Sequence, residues 1–373
     1  MGLRVFYGDL SFPRVFAIDV ESMKRIVDPD IKINSPCYPV DKVDSHLLYG
    51  ITRGENSVTP IDMRSNRAGS PIQLLHRPRS TATSGRGKSN LCLVAGADQP
   101  VVSIIDVNKS NVIQVVGKPT GETETDYGGS LASGHPTWIN GDLFLLLDRV
   151  RKKLCLCRVG SSLPLYSVRT PTSLHHVEKY GTGYVALSEG NLEARIPPAL
   201  VFFDITRGKN AKIAVSKVIF MPSVEGGAHH IGIVGDVIYV PTSNGIVFVL
   251  EPEKGHFKFR RAIKAGRGAG HVYFNPKSKT GVIVNHNDEF VTLFDQSSHT
   301  LISNVPVASL PPSGKKSQAH TSSISANGKY FYGSASQNGE FFRIDLAKKK
   351  KDKVLDLNTY GADAQPLQGV FVS

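Results

Sequence analysis

Cysteine is scarce: four residues in a chain of 373, too few for a disulfide framework at this length. No Cys-x-x-Cys occurs, which argues against thiol redox chemistry and the usual structural zinc motifs, and no Cys-x-x-Cys-His attaches a haem. Cys155 and Cys157 lie two apart on an expected strand and so share a face; burial is the expectation for all four. Long apolar runs are missing too, with nothing near the ~18 residues of a membrane span. No amphipathic helical pattern of ten or more residues occurs, and no Gly-x-Ser-x-Gly marks a hydrolase nucleophile. The N-terminus, Met1–Gly2–Leu3–Arg4–Val5–Phe6, reads as a strand without signal-peptide organisation. The expected location is periplasmic or extracytoplasmic if a leader has been removed, with the cytoplasm as the alternative.

Acidic residues are in deficit, 32 against 44 basic, for a net charge of +12. The excess is local: Lys348–Lys349–Lys350–Lys351–Asp352–Lys353, Arg151–Lys152–Lys153, and Arg77, Arg79 and Arg86. Aromatics are not interleaved with these runs as base stacking requires, so nucleic acid is not an expected partner. Solvated outer strands and loops are the expectation, with docking surfaces as the alternative.

What is present is strand, in a repeating unit. Apolar stretches close on an acid at Phe16–Ala17–Ile18–Asp19, Ile61–Asp62, Ile104–Ile105–Asp106, Phe202–Phe203–Asp204, Leu293–Phe294–Asp295 and Ile344–Asp345. Leu250–Glu251 and Cys157–Arg158 keep the beat with other residues. The interval is about 43–52 residues, the range of a four-stranded propeller blade. In the last full unit the turn Ala326–Asn327–Gly328 carries a strong hairpin pair. The closing Gln368–Ser373 reads as an inner strand lacking a successor, and Leu3–Tyr7 with Arg14–Asp19 as middle strands lacking a predecessor. The expected fold is all-β: a single domain spanning 1–373, a closed β-propeller of eight four-stranded blades, with seven the alternative count. Its N- and C-terminal segments share one blade, which removes an open sheet edge.

Histidine recurs at one place in the repeat: Gly134–His135–Pro136, Leu174–His175–His176, Gly226–Gly227–Ala228–His229–His230, Gly270–His271–Val272 and Ala319–His320–Thr321. Each precedes or begins an inner strand, the strand that lines the axis of a propeller. His286 falls where the second and third strands join, a loop expected on the same face. Imidazoles from successive blades would therefore converge. Imidazole suits copper, zinc, iron and nickel over magnesium and calcium, and an all-nitrogen set leans to copper or catalytic zinc. Glycines ahead of His135, His229 and His271 would let crowded backbones approach. In each His–His pair, alternation along a strand would aim one side chain at the site and the other away. Lys264, Arg267, Arg149, Glu189 and Asp288 lie on loops expected near that face, suited to a small anion or a proton relay. Gly266–Arg267–Gly268–Ala269–Gly270 leads into a strand and not a helix, so it reads as an inter-blade loop and not a phosphate cradle.

The repeat Ala319–His320–Thr321…Gly328–Lys329–Tyr330–Phe331…Ile344–Asp345 resembles the YVTN-type propeller repeat. Histidine ahead of such repeats is similar to the propeller of nitrous oxide reductase and to the copper-containing thiocyanate dehydrogenases. The resemblance implies a copper cluster carried by His135, His175, His176, His229, His230, His271, His286 and His320, not all of them ligands. It implies redox chemistry on a small inorganic or one-carbon substrate, with a redox partner protein. Those copper propellers have seven blades; eight-bladed relatives include the haem-binding propeller of haem-type nitrite reductase, which leaves haem, like zinc, as an alternative cofactor. Similar propellers serve as silent subunits of multi-protein complexes such as hydrazine synthase, the scaffold alternative. A lactonase-like hydrolase is the third.

Overall fold

The computed structural model describes residues 2–84, 90–120, 131–206, 208, 210–254, 256–310, 317–318, 320–358 and 363–373. Arg86 and Ala319 lie outside them. The fold is a β-propeller of eight four-stranded antiparallel blades. Among the described residues the one helical element is a single 3₁₀ turn, Arg53–Glu55, and no helix is long and apolar enough to cross a membrane.

Contacts divide the chain into two units. The first comprises residues 1–40, 65–68 and 228–373; the second comprises 41–64 and 69–227. In the first unit, one blade runs Pro366–Val372, Arg4–Asp9, Arg14–Asp19, Lys24–Arg25, so the chain's two terminal segments do share a sheet. Arg4 stands opposite Val372 and Phe6 opposite Val370. The other three blades begin with Gly232–Val234, Ala269–Tyr273 and Ser323–Ile324. Apolar side chains from facing sheets fill the spaces between blades: Tyr239 with Ile283 and Phe294, Val284 with Phe331 and Phe342, Tyr7 with Tyr332 and Phe341.

The second unit holds the blades whose long second strands are Leu47–Thr52, Leu91–Gly96, Leu143–Asp148 and Gly183–Ser188. Its packing is of the same kind, with Tyr49 against Val94, Leu93 against Phe144, and Leu145 against Phe203. All four cysteines are free and buried, and burial pushes the Cys155 thiol up to about 12.

The aspartate that ends several of the third strands has a structural reason. Asp295 accepts the backbone amides of Ser297 at 2.9 Å and Ser298 at 2.8 Å, and hydroxyl bonds from both side chains. Those bonds hold its carboxyl down to about 2. Four residues on, His299 takes a left-handed conformation with φ of 56°. Asp345 repeats this with Ala347, Lys348 and a left-handed Lys349, and Asp106 with Asn108, Lys109 and a left-handed Ser110. A side-chain acceptor at the first turn position satisfies amides that the sheet ladder has left behind.

The basic run at Lys348–Lys353 occupies the turn and start of an outer strand and is mostly solvent-exposed, as expected of a solvated face. Arg79 departs from that expectation. It is 3% exposed, and its guanidinium donates to the Ser133 carbonyl and lies 3.5 Å from His175 Nδ1. Lys264, expected on a loop, is the exposed last residue of the outer strand His256–Lys264.

Candidate metal centre

The first unit brings five of the eight histidines together. His229 and His230 follow Ala228, which is bridged to Thr242, and precede the strand Gly232–Val234. His271 lies within Ala269–Tyr273, opposite Val284, at a register shift that re-aims the chain. His286 follows Thr280–Asn285, with its amide bonded to the Gly268 carbonyl at 2.9 Å. His320 precedes Ser323–Ile324, and its amide donates to the Leu367 carbonyl of the C-terminal strand at 2.8 Å.

Nitrogens of His229, His271, His286 and His320 all lie within 4.8 Å of one another. No cysteine or carboxylate belongs to that group. Asp288, two residues beyond His286, accepts the Arg267 amide at 2.8 Å. His286 and His320 form a buried wall at 2% and 7% exposure, while His229 and His271 are partly exposed.

The surroundings prepare these rings. His286 Nδ1 lies 3.2 Å from the Gln318 carbonyl. A carbonyl only accepts, so Nδ1 carries the proton and Nε2 presents its lone pair, the tautomer a metal needs. A Cβ on Gly270 would stand 2.5 Å from His286 Nε2, so only glycine lets that ring lie on the neighbouring strand. The Tyr273 hydroxyl donates to the His320 carbonyl at 2.8 Å and accepts the Ser322 amide at 3.0 Å, while its ring stacks on His271. Tyr38 places its hydroxyl 3.4 Å from His320 Nδ1. Tyr38, Tyr273 and Gln318 were not singled out in the sequence. Tyr273 had a signal, lying two residues from His271 and so on the same strand face.

The alternation expected of the His–His pairs does not hold for His229 and His230. Both rings reach His271, at centroid distances of 5.6 and 4.2 Å. The pair stands before the strand and not within it, so strand alternation does not apply.

The second unit holds His135, His175 and His176. The rings of His135 and His175 meet at 5.0 Å. His175 Nδ1 lies 2.6 Å from Glu189 Oε1, which also pairs with Arg149 at 2.7 Å. Arg149 is fully buried and donates to the Leu131 and Leu174 carbonyls. Arg149 and Glu189, expected on loops for an anion or relay, thus form a buried network with His175.

Burial, and then the charge of Arg79, push His176 down to about 3. Its folded form stays neutral while the unfolded chain takes up a proton near pH 6.5. Its contribution is therefore complete above about pH 6.5 and is lost as pH falls toward 3, at no more than about 1.4 kcal/mol per pH unit. Urea midpoints measured from pH 7 to pH 4 should fall, and His176→Gln should flatten that fall. Parallel curves for the two proteins would contradict it.

No family model and no curated protein matches the chain. Solved structures do. AztD from Citrobacter koseri superposes with a TM-score of 0.67 at 12% identity, over 100% of this chain and 98% of that one. The dihydro-haem d1 dehydrogenase NirN, in complex with DHE, gives 0.69 at 14%, over 99% and 75%. Hydrazine synthase of Kuenenia stuttgartiensis gives 0.54 at 13%, over 76% and 89%. The likeness is one of fold. At such identities it carries no site residue across, and the imidazole group stands on its own geometry.

Proposed function

We propose that the protein binds one transition-metal ion of tetrahedral preference, zinc(II) first, through His229, His271, His286 and His320. The observation that carries this is the set of ring separations. With imidazole–metal bonds of ~2.0–2.1 Å, each ring centroid stands about 3.2 Å from the ion. A tetrahedron then sets every pair of centroids about 5.2 Å apart, whereas a square plane sets two pairs about 6.4 Å apart. Five of the six pairs here lie at 5.2–5.7 Å and the sixth, His286–His320, at 4.1 Å. No pair is at the trans distance. That favours zinc(II) or copper(I) over square-planar copper(II) or nickel(II). An ion held by these four residues would draw their nitrogens together and open the His286–His320 stack by about 1 Å.

Haem fits this group poorly. A porphyrin already supplies four nitrogens and takes one or two axial imidazoles, while four converging side chains leave no room for a macrocycle. Four protein ligands also close a tetrahedral site, and catalytic zinc sites keep a position open. Binding or carrying the ion is therefore the favoured role. The copper-dependent redox activity expected from the sequence would use the same imidazoles in the copper(I) state.

Metal analysis and cobalt titration test this together. The expected result is one zinc per chain after gentle purification and, in the stripped protein, an intense visible cobalt(II) band of tetrahedral type. Copper at stoichiometry with a square-planar resonance spectrum would replace zinc by the copper reading. Protein that neither carries nor takes up metal would leave the scaffold role.

A further inference from the structure

Five imidazoles meet in the first unit, one more than a tetrahedron uses. The His230 ring stacks on His271 with centroids 4.2 Å apart and planes 28° apart, and meets His229 edge-on at 4.9 Å. It is partly exposed, as are His229 and His271, whereas His286 and His320 are buried. His230 is thus among the three more exposed of the five. His230 precedes its strand. Its stacking partner, His271, is the ligand at a register shift.

A closed four-coordinate ion exchanges slowly when a ligand must leave before a new donor arrives. A fifth donor beside one ligand removes that barrier, because the new bond forms as the old one breaks. We propose that His230 is an exchange ligand for the ion held by the four imidazoles, its nitrogen standing in for that of His271 during uptake and release. The proposal rests on the four-imidazole reading and deepens it: the ion is an exchangeable cargo and not a fixed structural element. The exchange trades one neutral imidazole for another, so no electron or proton is required.

The experiment uses the full chain, stripped of metal, with cobalt(II) chloride as probe. Stopped-flow absorbance follows uptake, and excess chelator follows release. His230→Phe keeps a stacked aromatic ring but has no donor nitrogen, and His230→Ala removes both. Uptake and release should each slow by about tenfold or more in both variants, while Kd stays within about twofold, because a group acting on both directions leaves the equilibrium in place. His230→Phe exchanging at the wild-type rate would overturn the proposal. So would a Kd weakened by about a hundredfold, which would make His230 a resident ligand. Wild-type protein that binds no cobalt would overturn the four-imidazole reading itself, a result distinct from either.

Discussion

A chain cut back to residue 365 is expected to lose cooperative folding of the unit that holds the four imidazoles. The strand removed, Pro366–Val372, pairs along Arg4–Asp9 and buries Leu367 and Val372. Its Pro366 carbonyl accepts the buried hydroxyls of Ser334 at 2.6 Å and Ser336 at 2.9 Å. Gly369 exchanges two hydrogen bonds with the Thr321 side chain, and Leu367 holds the His320 amide. Each buried polar group left without its partner costs about 1–3 kcal/mol. Several at once rival the whole stability of a domain, about 5–15 kcal/mol. Thermal unfolding followed by circular dichroism should show a Tm lowered by more than about 10 °C, or no cooperative transition. A truncated protein melting like the full chain would mean that the strand contributes little.

His286→Ala should weaken metal binding by roughly 10²–10³-fold with the fold retained. Structural zinc binding amounts to about 10–16 kcal/mol, so one of four ligands carries about 2–4 kcal/mol. His286 lies outside the apolar clusters between blades, which is why folding should survive. A matched control is His299→Ala. His299 bonds Tyr239 at 2.7 Å and Glu251 at 3.0 Å, far from the four nitrogens in role, and its loss should lower stability while leaving cobalt affinity unchanged. Equal effects on metal from both substitutions would remove the case for His286 as a ligand.

Much of the architecture was legible because it is written locally. In several blades an aspartate at the end of the third strand caps its own turn within three residues, so the beat survives in the sequence even where no histidine marks the blade, as at Asp62 and Asp106. The pairing of the terminal segments followed from counting strands. The histidines were legible as residues at the start of inner strands, with His286 at a loop on the same face, and five of the eight do meet. Their supports were less so, although Tyr273 lies two residues from His271 on one strand. Gln318 lies 32 positions from His286, and Tyr273 lies 47 from His320; such pairs leave no spacing to read. Arg79 was hidden by company, since its neighbour Arg77 is exposed while Arg79 is buried against Ser133 and His175. Nor could the sequence tell a tetrahedron from a square plane, because that difference lies in angles between rings on separate blades.

The shared terminal sheet has a mechanical consequence. Arg4 lies directly opposite Val372, so the two ends of the chain leave the sheet from the same edge of one antiparallel pair. A force drawing the termini apart loads the cross-strand bonds singly, from that edge inward, and peels the pair open. The same pair pulled along its strands would load every bond together. Tethering this protein by both ends should therefore release the anchors of His320 at Leu367 and of Thr321 at Gly369 under low tension.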